Sequence, residues 1–181
     1  MLLLIAGPLL LPRFLQRFRG GSYVETAVAA HRNLLNGSLP LAVHTDSPSA
    51  VSAWFAGKVP FLFRLPDSDK VSDEEPIYRL IGGSLVNYEG AHAALIAFQA
   101  QQEKISLLVT SSRSAVAAGG EEVAFDGLVF RYNRRAGFNV ITWSNHDLTY
   151  ALVSSLPGHG RQSCQVCHQS MEAGDHLSAL R

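Results

Sequence analysis

From Tyr78 to Ser154 the chain is built of short apolar runs, most of them joined by turns too small to cross a sheet. The runs fall at residues 78–81, 84–88, 93–99, 105–110, 128–133, 138–143 and 149–154, and they carry the aliphatic and aromatic side chains that strands favour. Glu89-Gly90, Gln101-Gln102-Glu103, Arg134-Arg135-Ala136-Gly137 and Ser144-Asn145-His146-Asp147 mark the turns. Parallel neighbours need a crossover of about a dozen residues or more, so these strands must run antiparallel. A glycine pair, Gly82-Gly83, sits between the first two runs and predicts a bulge or the close approach of another backbone. Residues 111–120 are small and polar and read as a mobile loop.

Two helical segments precede the strands. Residues 22–35 have Ser22 placed to cap and Glu25 three positions later to complete a capping box. Val24, Val28, Ala29 and Leu35 lie roughly on one stripe, and Asn36-Gly37 supplies the stop. Residues 47–56 form a shorter segment, with Ser47 or Asp46 as cap, Pro48 in the first turn and Gly57 at the end. Its buried face would be Val51, Trp54 and Phe55. The expected fold class is therefore α+β: a meandering antiparallel sheet with one or two packed helices, an apolar N-terminal helix and an irregular C-terminal tail. A chain of 181 residues suffices for one such body, at residues 21–157, between an apolar segment at 1–20 and a tail at 158–181.

Charge and motifs exclude several functions. Lys plus Arg and Asp plus Glu both number 15, so the basic surplus of a nucleic-acid binder is absent and no direct nucleic-acid partner is expected. Asp67, Asp69, Asp73, Glu74 and Glu75 crowd one stretch between Pro66 and Pro76, which reads as a solvated connection. Gly82-Gly83 lacks the pattern of a phosphate loop, and Ser154-Ser155 ends a strand rather than forming a nucleophile elbow. His44, His92 and His146 sit beside turns or caps and read as surface or structural residues, while Trp54, Phe55 and Trp143 read as core. No catalytic constellation emerges, and the chain is not expected to be an enzyme.

The two ends carry the remaining signals. Residues 1–11 are almost wholly apolar but fall short of the roughly 20 residues that span a bilayer as a helix. They read either as the last half of a membrane helix or as a short amphipathic or buried helix continued by Phe14, Leu15 and Phe18. Arg13, Arg17 and Arg19 arrive where a span would meet headgroups. On the positive-inside rule they favour a cytoplasmic flank, which opposes an exported body.

At the other end, Cys164, Cys167 and His168 form the Cys-x-x-Cys-His pattern of c-type haem attachment. Two thiols at this spacing can bond the two vinyl groups of one haem, and His168 can then take the iron as proximal ligand. Met171, His176 or His159 would be the nearby candidates for a sixth ligand. Zinc held by Cys164, Cys167, His168 and His176 (or His159) is the alternative, and a cofactor-free thiol pair or disulfide a third. Covalent haem would place the body outside the cytoplasm.

Five stretches also resemble one protein family. Residues 51–61 (VSAWFAGKVPF) resemble the KPWFNGKLDF segment of membrane-anchored bacterial anti-sigma factors. Residues 78–85 (YRLIGGSL) are similar to that family's FxLVGGRL strand pair, and residues 93–98 (AALIAF) to its AALVY strand. Residues 137–143 (GFNVITW) resemble GYNVVxW, and residues 149–156 (TYALVSSL) the closing xYxxVSDL strand. Order and spacing hold from about His31 to Pro157.

The resemblance implies a regulatory or sensor domain on the periplasmic face of the inner membrane, with lipid contacted through the apolar N-terminus and a protein as partner. The family's sigma-binding His-x-x-x-Cys-x-x-Cys segment is absent here, so a sigma factor would be reached only through a missing N-terminal domain. That absence and the short apolar run suggest a truncated or split gene product. The C-terminal Cys-x-x-Cys-His is a second departure from the family pattern. The rival expectation is a small exported c-type haem protein that transfers electrons, with the sheet as scaffold.

Overall fold

A computed structural model describes residues 11–66, 78–125 and 127–156, with side chains of the first helix described from Ser22 onward. The elements run α1 (Leu11–Leu35), α2 (Pro48–Phe55), β1 (Arg79–Tyr88), β2 (Ala91–Ala100), β3 (Glu103–Ser111), β4 (Glu121–Phe125), β5 (Leu128–Arg135), β6 (Phe138–Asn145) and β7 (Leu148–Ser154). All strands join one seven-stranded sheet in the order β1-β2-β3-β7-β6-β5-β4. Every neighbouring pair is antiparallel. The α+β class and the antiparallel pairing follow the sequence expectation.

A simple meander does not. The sheet is two meanders, β1 to β3 and β4 to β7, joined where β3 pairs with β7. Burial explains the order. β3 and β7 are apolar on both faces and almost wholly buried, so they belong in the middle of the sheet. β4 is exposed at every position and can occupy only an edge. Residues 112–120 carry the chain from β3 across to that edge, and the crossing is anchored rather than loose. Ser112 N–H donates to the Asp147 carbonyl at 2.8 Å, and Ala115 is fully buried.

β1 is a single strand that passes through the glycine pair, with its register shifting between Leu80 and Gly82. Gly83 N–H donates to the Val43 carbonyl at 3.0 Å, and the Gly83 carbonyl accepts from Val43 N–H at 3.0 Å and Ala42 N–H at 2.9 Å. A Cβ on Gly82 would lie 1.9 Å from the Val43 oxygen, so the expected close backbone approach is present. Three hairpins turn through Glu89-Gly90, Ala136-Gly137 and His146-Asp147, each with positive φ at both residues. That is the type I′ geometry whose twist matches the flanking strands.

The helices cover opposite faces. α2 starts as its sequence predicts: Ser47 Oγ accepts from Ala50 N–H at 3.2 Å, and Pro48 occupies the first turn. Val51 and Phe55 are fully buried against one face, where Ile96, Ile105, Leu107, Phe130 and Trp143 also pack. Trp54 is only half-buried at its rim. α1 covers the other face and is longer than expected. It is already running at Leu11, so Ser22 is an interior residue whose carbonyl accepts from Thr26 Oγ1 at 2.9 Å. The capping box is not formed; Glu25 instead pairs with Arg135 of β5. The buried stripe is Tyr23, Val24, Ala27, Val28, Ala30, His31 and Leu34, whereas Ala29 and Leu35 face solvent. Gly37, at φ +78°, ends the helix as read.

Candidate functional site

The cofactor candidates Cys164, Cys167, His168, His159, Met171 and His176 lie outside the described residues, as does nearly all of the apolar run 1–11. Among the described residues no group of three or more His, Cys, Asp or Glu is placed to hold a metal ion. Among the described residues no helix is long and apolar enough to cross a membrane. His44, His92 and His146 are all exposed, as their sequence positions suggested.

The most constrained polar constellation in the body lies where α1 meets the sheet. Tyr23 is fully buried, and its hydroxyl sits 2.6 Å from the Leu108 carbonyl and 2.9 Å from the Thr149 carbonyl. Leu108 belongs to β3 and Thr149 to β7, so one phenolic proton is shared across the line where the two meanders join. The ring meets Tyr88 edge-on at 5.2 Å. Burial raises the pKa of the Tyr23 phenol well above its ordinary value and keeps the donor protonated.

Two turns further along α1, His31 is 0% exposed. Its Nδ1 lies 2.8 Å from Ser106 Oγ, and its ring meets Phe138 edge-on at 4.9 Å. The Nε2 atom is buried without a partner. Either tautomer leaves one polar group unpaired: a bare lone pair or an N–H directed into apolar surroundings. Desolvation lowers the His31 pKa to about 4, against an opposing pull from Glu103 and with a smaller push from Lys104. The imidazole is therefore neutral near neutral pH.

A Ser–His pair invites comparison with a hydrolase, but geometry argues against it. Ser106 is 1% exposed and His31 fully covered, so no substrate atom can reach either. The pair fastens helix to sheet. Next to it, Thr149 Oγ1 donates to the Ala115 carbonyl at 2.9 Å and lies 2.9 Å from Ser144 Oγ, which ties the crossing segment to the same face. The Glu25–Arg135 ion pair closes the rim.

His31 is not marked by a neighbouring turn or cap as His44, His92 and His146 are. The available signal was its spacing: it stands four positions after Ala27 and three after Val28, within an apolar helical stripe. On the opposite face, Lys58 Nζ lies 4.7 Å from the Trp54 ring centroid and donates to the Trp54 carbonyl at 2.6 Å. Comparison with protein-family models, with curated proteins and with solved structures found no match to this chain.

Proposed function

We propose that this protein is a regulatory module that works by contact: the extracytoplasmic portion of an anti-sigma-like regulator of the bacterial inner membrane, without catalytic activity of its own. The observation that carries the reading is the continuity of α1. One 25-residue helix begins beside the apolar N-terminal run and ends bonded into the sheet. A change in the sheet must therefore act on the pose of that helix, through Tyr23 and His31, and the reverse holds by linkage. In this reading residues 1–11 meet lipid, and the body presents its surface to a protein partner in the periplasm. Further support comes from the five family-like stretches, which fall on α2, β1, β2, β6 and β7 and contribute residues to both cores alongside α1 and β3.

The test is genetic and biochemical together. Deleting the gene should change transcription from promoters of a single alternative sigma factor. The full chain should sediment with inner membrane and be digested in spheroplasts from the outer side. A soluble, protease-protected chain whose loss leaves transcription unaltered would overturn the proposal.

A haem-bearing tail is a second reading, favoured by the Cys164-to-His168 pattern, and it would serve as the module's input or as an electron carrier. Bound haem would supply one-electron or gas-binding chemistry, with Cys164 and Cys167 as covalent anchors and His168 as iron ligand. Protein from a host able to attach haem c should then keep a Soret band through acid–acetone extraction. Stoichiometric zinc in place of that band would assign the tail to a metal knuckle instead.

A further inference from the structure

α1 is tied to the sheet by two polar anchors that answer acid differently. The Tyr23 hydroxyl donates toward carbonyls of β3 and β7, and acid leaves a phenol unchanged. His31 lies eight residues on, about 12 Å along the helix, with Nδ1 against Ser106 Oγ and Nε2 without a partner. An imidazolium carries two N–H donors. Ser106 Oγ can accept one of them; the other is trapped, with the charge, at a residue that is 0% exposed. The surroundings offer little compensation. Ala97 of β2 and Val153 of β7 oppose Ser106 and share its face, Val140 of β6 opposes Val153, and all three are buried. Phe138 of β6 stands edge-on to the ring. The charges whose fields reach it are both on β3: Glu103, whose carboxylate already accepts from Ser155 Oγ, and Lys104, which opposes protonation. Arg135, opposite Phe138 on β5, is paired with Glu25 of α1, and Arg32 is exposed. Among the described residues no carboxylate is bonded to the imidazole.

We propose that His31 is an acid-operated latch: its protonation frees the C-terminal end of α1, residues 31–35, from the sheet, while Tyr23 keeps the helix seated as a pivot. The packing makes this a local event. Beyond His31, Leu34 is the one residue of the helix that is buried, so little else holds the end down. Among the described residues, the core under α2 draws none from α1, and the sheet keeps that support when the end lifts. The direction follows from linkage. Freed, the imidazole titrates near its ordinary value of about 6.5; seated, it titrates at about 4. The seated value is the lower one, so the latch is shut above about pH 6.5 and yields as pH falls toward about 4. On these values the opening constant of the helix end rises about 20-fold from pH 7 to pH 5 and about 100-fold by pH 4. As an input to a membrane regulator the latch rests on the reading proposed above; as a property of the chain it does not.

Hydrogen exchange of the full chain, followed by NMR at pH 7, 5 and 4 in low concentrations of urea, tests this. A freed helix end frays, so its amides report the opening. Once corrected for the intrinsic rate at each pH, amides of residues 32–36 should exchange through an opening that is nearly independent of urea and grows by the factors above. Amides of β3 should wait for global unfolding, with its steep urea dependence. In His31→Gln the opening of the helix end should not grow with acid. NMR of the native chain with labelled histidine reads the proton itself and needs no variant: the His31 ring, assigned through its contact with Phe138, should gain its proton together with the opening. A helix end that opens only with the whole sheet, an opening constant flat from pH 7 to pH 4, or a His31 ring that gains its proton while the end stays closed overturns the proposal. The regulatory reading fails separately: acid-driven opening in a chain whose deletion leaves transcription unaltered removes that reading and leaves the latch standing.

Discussion

Acidification should loosen this protein through a single residue. His31 is sealed between α1 and the sheet and stays neutral there, with its pKa lowered to about 4. In the unfolded chain the same imidazole titrates near its ordinary value of about 6.5. The folded value is the lower one, so its contribution to stability is intact above about pH 6.5. As pH falls from there to about 4, the unfolded state binds a proton that the folded state refuses. A gap from 6.5 to about 4, at 1.36 kcal/mol per pH unit, is worth about 3 kcal/mol, a large part of a domain's net stability. Urea unfolding followed by the fluorescence of Trp143, itself 4% exposed, would measure it at a series of pH values. His31→Gln removes the titration while leaving an amide able to reach Ser106. Carboxylates titrate in both proteins, so the difference between the two pH profiles isolates the imidazole. The native chain should lose about 3 kcal/mol more than the variant between pH 7 and pH 4. Parallel profiles would refute the reasoning, since they would mean that His31 is protonated in the fold or reached by water.

Four further perturbations follow from the packing. Tyr23→Phe removes the proton that reaches the Leu108 and Thr149 carbonyls and should cost about 1–2 kcal/mol in urea unfolding, with α1 amides exchanging faster. Gly82→Ala sets a methyl 1.9 Å from the Val43 oxygen at a φ of +137°, and should cost on the order of 3 kcal/mol or more. Gly83→Ala should also destabilise, because its Cβ would meet the fully buried Phe55 ring at 2.9 Å and the Leu95 carbonyl oxygen at 3.0 Å. Ala136→Asn creates the Asn-Gly pair that a type I′ turn prefers where Ala136 now holds φ +51°, and should raise the melting temperature by a few degrees, equivalent to about 1 kcal/mol.

What the sequence disclosed tracks how strongly burial marks a residue. β2, β3, β6 and β7 are apolar enough to be read directly, and the short turns between hairpin partners force their antiparallel pairing. α2 was legible because Ser47, Pro48 and Gly57 are local signals that act within a few residues. β4 was missed because a strand exposed along its whole length leaves no apolar pattern. The β3–β7 pairing was missed for another reason: it depends on which strands tolerate burial on both faces, a comparison across the whole chain. Ser22 and Glu25 misled because a capping box looks the same whether or not the helix has already begun, and Glu25 found Arg135 far away in sequence. His31 had a readable position but an unexpected chemistry for a helix stripe. The candidate ligands at Cys164, Cys167 and His168 remain a matter of spacing alone.

The Tyr23 hydroxyl has a consequence for the order of assembly. Its acceptors belong to β3 and β7, and the Thr149 carbonyl belongs to the final strand. On the ribosome α1 emerges before the sheet, yet its berth does not exist until that strand has been made and has closed against β3. The local hairpins can zip early, whereas this long-range closure must come late and slowly. A segment made before every strand of the sheet is thus the last to find its seat, and in the interval its oily flank is a surface for chaperones to shield.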